Sequence, residues 1–233
     1  MNKGRTFALS DLHGEYNLWK QIKDYLKPND TLYYLGDAAD RGPDGWKLIK
    51  ELYNDSRVIY LKGNHEDMLV KAIREYIKYD GMTGKAYYLL CNNGGERTFN
   101  DWYADGAYSE WAKILDNLPY YTTYRNEKNI LVHLCHAGLT PWDSDPLFVD
   151  EYKCLWDRDH YLEEPEEDEL NGVSVYGHTP IIYIADDLHI KELEPGALWH
   201  CNNHKIAIDC GACVTGISTL LDLDTFDEHI FSY

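Results

Sequence analysis

The sequence is poor in positive charge: 22 Lys and Arg stand against 40 Asp and Glu, a formal net charge of −18. Such a surface repels polyanions, because binding duplex DNA depends on Lys and Arg neutralising phosphates. No basic cluster offsets it, so nucleic acid and anionic membrane are disfavoured as main partners. No apolar run approaches the roughly 18 residues that a membrane span requires. The opening MNKGRTFALSDLHG passes from basic residues through one short apolar run into polar ones, so no secretory leader is expected. Cysteine is sparse. Cys91, Cys135, Cys154, Cys201, Cys210 and Cys213 read as reduced thiols in a cytosol rather than a disulfide framework. Internal repeats are absent too.

What is present is ordinary for a globular protein: 44% hydrophobic and 27% charged residues. A chain of 233 residues can form a single domain, 1–233, with a modest insertion. It can bury roughly 70% or more of its unfolded surface without disulfides. Thr6–Ser10, Thr31–Leu35 and Arg57–Leu61 read as strands. They alternate with helical patterns at Tyr16–Leu26, at Pro43–Tyr53 with proline in the first turn, and at His65–Tyr79. Strands separated by such helices imply βαβ units and a largely parallel sheet. Residues 80–118 are rich in Tyr, Trp and Gly and read as a helical insertion, a candidate lid, with Tyr87, Tyr88, Trp102 and Trp111 as possible groove residues. Further strands are expected at Tyr120–Arg125, Asn129–Leu134, Val173–Tyr176, Lys205–Asp209, Ile217–Asp222 and His229–Phe231. The whole predicts an α/β fold of two packed mixed sheets with helices outside. The charge run Glu163–Glu169 reads as a solvated loop.

Five clusters each place polar, metal-competent residues directly after an apolar strand. They are Asp11-Leu12-His13-Gly14, Gly36-Asp37-Ala38-Ala39-Asp40-Arg41-Gly42, Gly63-Asn64-His65-Glu66, His136-Ala137-Gly138 and Gly177-His178-Thr179-Pro180. Ligands of open α/β sheets bind beyond the carboxyl ends of strands, so five such endings can converge at one edge. Asp11 and His13 are two apart and project to the same side of an extended backbone. Carboxylate, imidazole and amide oxygen form a donor set suited to Mn, Fe or Zn rather than a thiolate site. Any one cluster alone would more readily be structural; the five together, in this order, are not.

The series SDLHG, GDAADRG, KGNHE, CHAGL and YGHTP resembles the phosphoprotein phosphatase family of calcineurin-like metallophosphoesterases, especially its bacterial and bacteriophage members. The likeness runs from residue 6 to about residue 223, with 80–118 not diagnostic. It implies a four-layer αββα sandwich and two divalent ions, manganese first, with iron, zinc or nickel as alternatives. By this resemblance Asp11, His13 and Asp37 hold one ion, and Asp37, Asn64, His136 and His178 the other, with Asp37 bridging. The implied nucleophile is a bridging hydroxide. His65 is implied as general acid, Asp40 as the group that orients it, and Arg41 and Arg158 as phosphate binders. For Arg158, in Trp156-Asp157-Arg158, an ion pair with the neighbouring acidic stretch stands as the alternative.

The resemblance implies a serine/threonine protein phosphatase, with dual specificity as an alternative, and the cysteines and opening residues lead to the expectation that it is cytoplasmic. A hydrolase of dinucleoside polyphosphates or other small phosphoesters shares the scaffold. Asp40 tilts the balance, since symmetric dinucleoside tetraphosphatases tend to lack this aspartate. A non-catalytic binding module would be expected to have lost ligands or the acid, and none is lost here. Cys210-x-x-Cys213 stands alone and reads as ordinary thiols. His133, His160, His189, His200, His204 and His229 fit no ligand pattern.

Overall fold

The computed structural model describes residues 3–106, 108–139, 149–158, 160–162, 172–190, 193–201 and 204–233. The charge run Glu163–Glu169 and the side chain of Cys201 lie outside the described residues.

Three βα units open the chain: β1 (Thr6–Leu9), α1 (Tyr16–Tyr25), β2 (Thr31–Tyr34), α2 (Gly45–Asn54), β3 (Val58–Tyr60) and α3 (Asn64–Lys78). The three strands run parallel, Thr6 pairing with Thr31 and Leu32 with Val58. Every residue of β1 is buried. Apolar elements cover the sheet on both sides, which explains why this strand reads as a run rather than an alternation.

Residues 80–118 form α4 (Lys85–Asn92), α5 (Glu96–Asp105) and α6 (Tyr108–Asp116). Helices α4 and α6 pack on α3, and α5 on α2. Trp102 is completely buried among Tyr76 and Phe99, so it belongs to the core and lines no groove. Then follow β4 (Tyr121–Arg125), β5 (Leu131–Cys135), α7 (Glu151–Trp156), β6 (Val173–Tyr176), α8 (Ile181–Asp187), β7 (Trp199–Cys201), β8 (Lys205–Ala207), α9 (Ala212–Thr215), β9 (Ile217–Asp222) and β10 (Glu228–Ser232).

Among the described residues the strands form two mixed sheets, ordered β10-β9-β1-β2-β3 and β4-β5-β6-β8-β7, with helices flanking them. One apolar core joins the first sheet to α1–α6 through Leu9, Trp19, Tyr34, Ile49 and Leu69. The other fills the space between the sheets, where Ala8, Leu35 and Leu221 meet Val132, Val175 and Ile206. In the second sheet β5, β6 and β8 are mutually parallel, so their carboxyl ends share one edge.

Two expectations need correction. Helix α2 begins at Gly45, not Pro43. The Gly42 and Asp44 amides donate to His13 O (2.9 Å) and Gly14 O (3.2 Å), so these residues are committed to bracing the β1–α1 turn. Strand β7 and helices α7, α8 and α9 had no sequence counterpart, being too short or too polar to show a period.

Candidate active site

The five clusters sit on the turns that leave β1, β2, β3, β5 and β6. Hydrogen bonds continue past the ends of β1 and β2 into these turns: Asp11 N–H to Gly36 O (3.1 Å), His13 N–H to Asp37 O (3.0 Å) and Gly14 N–H to Ala38 O (2.8 Å). Backbone strain collects there. Asp11, His13, Asp37, Asp40, Arg41 and His178 all have positive φ, between 44° and 70°. For non-glycine residues this region costs free energy and persists only where the surroundings impose it.

Two glycines let the turns approach the carboxylates. A Cβ on Gly63 would lie 2.2 Å from Asp37 Oδ1, and one on Gly177 would lie 2.0 Å from Asp11 Oδ2. The first contact lets the His65 amide at the start of α3 donate to Asp37 Oδ1 at 3.0 Å. A carboxylate is favoured at a helix N-terminus.

The side chains form two buried groups that share Asp37. The donor atoms of His13, Asp37 and His65 lie within 4.8 Å of one another, as do those of Asp37, His136 and His178. In the second group Asn64 Oδ1 stands 2.8 Å from His136 Nε2 and 3.0 Å from His178 Nδ1. Asp37 Oδ2 is 3.4 Å from His136 Nε2 and 3.6 Å from His13 Nε2. Asp11 Oδ1 is 4.0 Å from His13 Nε2.

His65 plays a double part. Its Nδ1 is 2.7 Å from Asp40 Oδ2, and its Nε2 is 3.8 Å from Asp37 Oδ2. Arg41 spans both rings, Nη1 donating to His13 Nε2 at 2.8 Å and Nη2 to His65 Nε2 at 3.1 Å. Beside this group lies a cleft of about 300 Å³ whose walls include Arg41, Arg158, His178, Tyr183 and Val214. Arg158 is exposed at its mouth, and among the described residues no carboxylate pairs with it. The ten residues singled out in the sequence are thus gathered at one edge of the two sheets.

Residues 4–208 match the model of the calcineurin-like phosphoesterases. The chain belongs to that family. Among curated proteins it is 29% identical to a serine/threonine-protein phosphatase 2 of Escherichia coli, over 74% of this chain and 78% of that one. It is also 27% identical to a symmetrical bis(5'-nucleosyl)-tetraphosphatase of Buchnera aphidicola, over 59% of this chain and 46% of the other. A crystal structure of a putative diadenosine tetraphosphatase superposes with a TM-score of 0.66 at 16% identity, covering 99% and 94% of the two chains. That last likeness speaks for the fold alone. The phosphoesterase is accordingly a metal-dependent hydrolase of phosphoesters.

The donor set of this phosphoesterase fits divalent ions. His13 Nδ1 lies 2.7 Å from Ala39 O and His136 Nδ1 lies 2.8 Å from Leu35 O, so each ring turns its Nδ1–H outward and its Nε2 inward. Asn64 Oδ1 and His136 Nε2 face each other at 2.8 Å, a contact that a proton on Nε2 satisfies here and that a cation could take over. Asp11 Oδ1 is buried without a hydrogen-bond partner.

The buried charges of the site act on one another in the same sense. Burial favours neutral Asp37, but the His136 and His65 rings outweigh it and hold its carboxyl well below the usual range. Burial opposes charging of His136, and Asp37 and Asp11 overcome it, pushing that ring up to about 10. Burial pulls His13 down to about 3 and His178 to about 2, keeping both neutral. Asp11 is raised to about 7, chiefly by burial. At His65 burial lowers, yet Asp37 and Asp40 raise the ring overall.

Sequence reasoning missed four supporting residues. Buried Glu66, quoted in its motif without a role, accepts from the amides of Asp37 (2.8 Å), Ala38 (2.9 Å) and Gly63 (2.9 Å) and from Tyr60 OH (2.9 Å). It is the returning half of a capping box on α3, a spacing that was legible. Ser10 donates to Asp11 Oδ2. Thr98 accepts the Asp40 amide at 3.0 Å from 58 residues away, which no local pattern announces. Asp209, after β8, keeps one buried oxygen without a partner, and its carboxyl is raised well above its ordinary value, first by burial and then by Asp11. Cys210 is pushed up to about 12 by burial, which agrees with its reading as an ordinary thiol.

Proposed function

We propose that the chain, acting as one unit over 1–233, is a protein phosphatase that hydrolyses phosphoserine and phosphothreonine esters, with manganese as its working ion. The observation that carries this reading is the make-up of the cleft: two guanidinium groups, Arg41 and Arg158, and no lysine among its described walls. Two planar forks suit the oxygens of one phosphoryl group. A tetraphosphate chain would call for more positive charge than a protein of net charge −18 offers here. The buried Asp40–His65 pair supports the same reading, because an alkoxide leaving group needs a proton and an activated one does not.

Asp11, His13 and Asp37 would hold one ion, and Asp37, Asn64, His136 and His178 the other. When bound, such a pair activates water at neutral pH and neutralises charge on the phosphoryl oxygens. The chain's own residues do the rest. His65 Nε2 lies between Arg41 and Asp37; with Arg41 engaged on phosphate instead of on this nitrogen, a protonated Nε2 can deliver its proton to the leaving oxygen. Asp40 holds Nδ1–H of the ring and so fixes which nitrogen acts. Arg41 donates to the His13 Nε2 lone pair that an ion would need, so with His13 serving as a ligand the guanidinium would be available to clamp phosphate.

The relatives named tetraphosphatases favour a second reading, cleavage of dinucleoside polyphosphates. The deciding experiment gives metal-stripped protein Mn²⁺ and follows phosphate release from phosphopeptides and diadenosine tetraphosphate in parallel. Release from phosphopeptides with little dinucleotide cleavage supports the phosphatase. Dominant dinucleotide cleavage transfers the substrate to nucleotides, and no turnover with both ions bound would point to a binding module.

A further inference from the structure

We propose that Thr98 is a positioning residue for the general acid, so that helix α5 braces the site from outside its five motifs. This rests on the reading of His65 as the proton donor. Asp40 and Arg41 are consecutive residues with φ of 70° and 60°, a backbone that neither adopts without support. The Asp40 carboxylate cannot supply that support. Its Oδ2 is engaged by His65 Nδ1 at 2.7 Å, and the nearby Thr98 hydroxyl is another side-chain group acting on the carboxylate.

The orientation of the carboxylate is set also through its backbone, which is held at three points. The Asp40 amide donates to Thr98 Oγ1 at 3.0 Å, the Arg41 amide to Gly94 O at 3.0 Å, and the Gly42 amide to Asp40 O at 2.7 Å. Two of the three come from residues 94–98, at the α4–α5 turn and the start of α5. Thr98 is itself buried at 1% exposure, with Phe99 and Trp102 anchoring the same helix in the core, so the hydroxyl has little freedom to move. At this point these helices act as a buttress.

The chain of dependence runs from Thr98 Oγ1 to the Asp40 backbone, to the Asp40 carboxylate, to the His65 ring. Loss of the hydroxyl at constant shape should loosen the ring's orientation without touching any metal-ligand candidate. The test compares Thr98→Val, Thr98→Ser and His65→Asn with the parent, all manganese-loaded. The two substrates are a phosphoserine peptide, whose leaving group needs a proton, and 2,4-dinitrophenyl phosphate, whose leaving group does not. Metal content and a crystal structure of Thr98→Val accompany the kinetics.

General-acid catalysis is worth about 10²–10⁴-fold, so a misaimed acid should cost about tenfold or more in kcat on the peptide. Thr98→Val is expected to show that loss, with little change on the dinitrophenyl ester, full metal content and a lengthened His65–Asp40 contact. Thr98→Ser should restore the parent rate. Equal losses on both substrates, or an unmoved His65–Asp40 contact at full activity, would overturn the inference while His65→Asn kept its selective defect. If His65→Asn itself shows no dependence on the leaving group, the acid assignment falls and the inference falls with it. Should Thr98→Val not fold, a Thr98→Ser variant as impaired as His65→Asn on the peptide would equally overturn it.

Discussion

His65 Nδ1 and Asp40 Oδ2 lie 2.7 Å apart, with both side chains buried and the second nitrogen of the ring turned toward Arg41 and Asp37. The ring is thus oriented from behind, and its Nε2, which accepts from Arg41 here, is free to carry a proton once the guanidinium turns to phosphate. His65 also belongs to a donor group with Asp37 and His13, so proton donation and metal ligation are two roles that one variant separates. His65→Asn should keep both ions while losing about 10²–10⁴-fold in turnover of a phosphoserine peptide. Elemental analysis together with peptide kinetics decides: a variant short of one ion would make His65 a ligand, and an unimpaired variant would give it neither role.

Asp37 is the one carboxylate common to both donor groups, at 3.4 Å from His136 Nε2 and 3.6 Å from His13 Nε2. Asp37→Asn removes the charge that two cations would share and should lower manganese content by at least one ion per chain. Full retention of two ions, measured by mass spectrometry on the purified variant, would refute the bridging assignment.

Glu66 is predicted to matter for stability more than for chemistry. It is fully buried and satisfies the Asp37, Ala38 and Gly63 amides and the Tyr60 hydroxyl at 2.8–2.9 Å. Leaving buried donors without a partner costs about 1–3 kcal/mol each. Glu66→Ala should therefore lower the unfolding free energy by about 3 kcal/mol or more, read by urea denaturation in the presence of a chelator. A change below about 1 kcal/mol would mean that water replaces the carboxylate.

A pH dependence of stability is expected at the junction of α1, α2 and β3. Asp55 accepts from Arg57 Nε at 2.9 Å and Nη2 at 2.6 Å, while Arg57 Nη1 also donates to Leu26 O at 2.8 Å. The Arg57 hydrogen bonds hold the Asp55 carboxyl below its ordinary value, against burial. A carboxyl depressed in the folded state stabilises fully above its unfolded value of about 3.9 and loses that contribution as the pH falls through the folded one. Asp55→Asn should thus be less stable than the parent at pH 7, with the gap closing below about pH 4. A gap that stays constant in denaturation curves down to pH 2 would show that the bond acts without its charge.

The residue types and spacing of the sequence determined the strands, the turns that follow them and the donor chemistry. Asp-x-His, Asn-His and the paired Asp40-Arg41 are short-range patterns placed at strand ends, and strand ends are where periodicity stops. Those signals are local, so they survive without a structure. Boundaries slipped where a distant contact claimed the backbone, as when Gly42 and Asp44 were drawn to the β1–α1 turn and α2 began late.

Only the tertiary structure decided what holds those donors in place. Glu66 reaching across to the Asp37 and Ala38 amides, Thr98 under Asp40, and Gly177 lying close against Asp11 are contacts between residues 28, 29, 58 and 166 apart in sequence. Six strained, positive-φ residues in the site had no sequence signature, because that conformation is imposed by neighbouring turns and disfavoured by the residues themselves. The chain chooses its chemistry locally and its geometry globally, since hydrogen bonds that bridge turns require the strands and helices carrying those turns to be brought together.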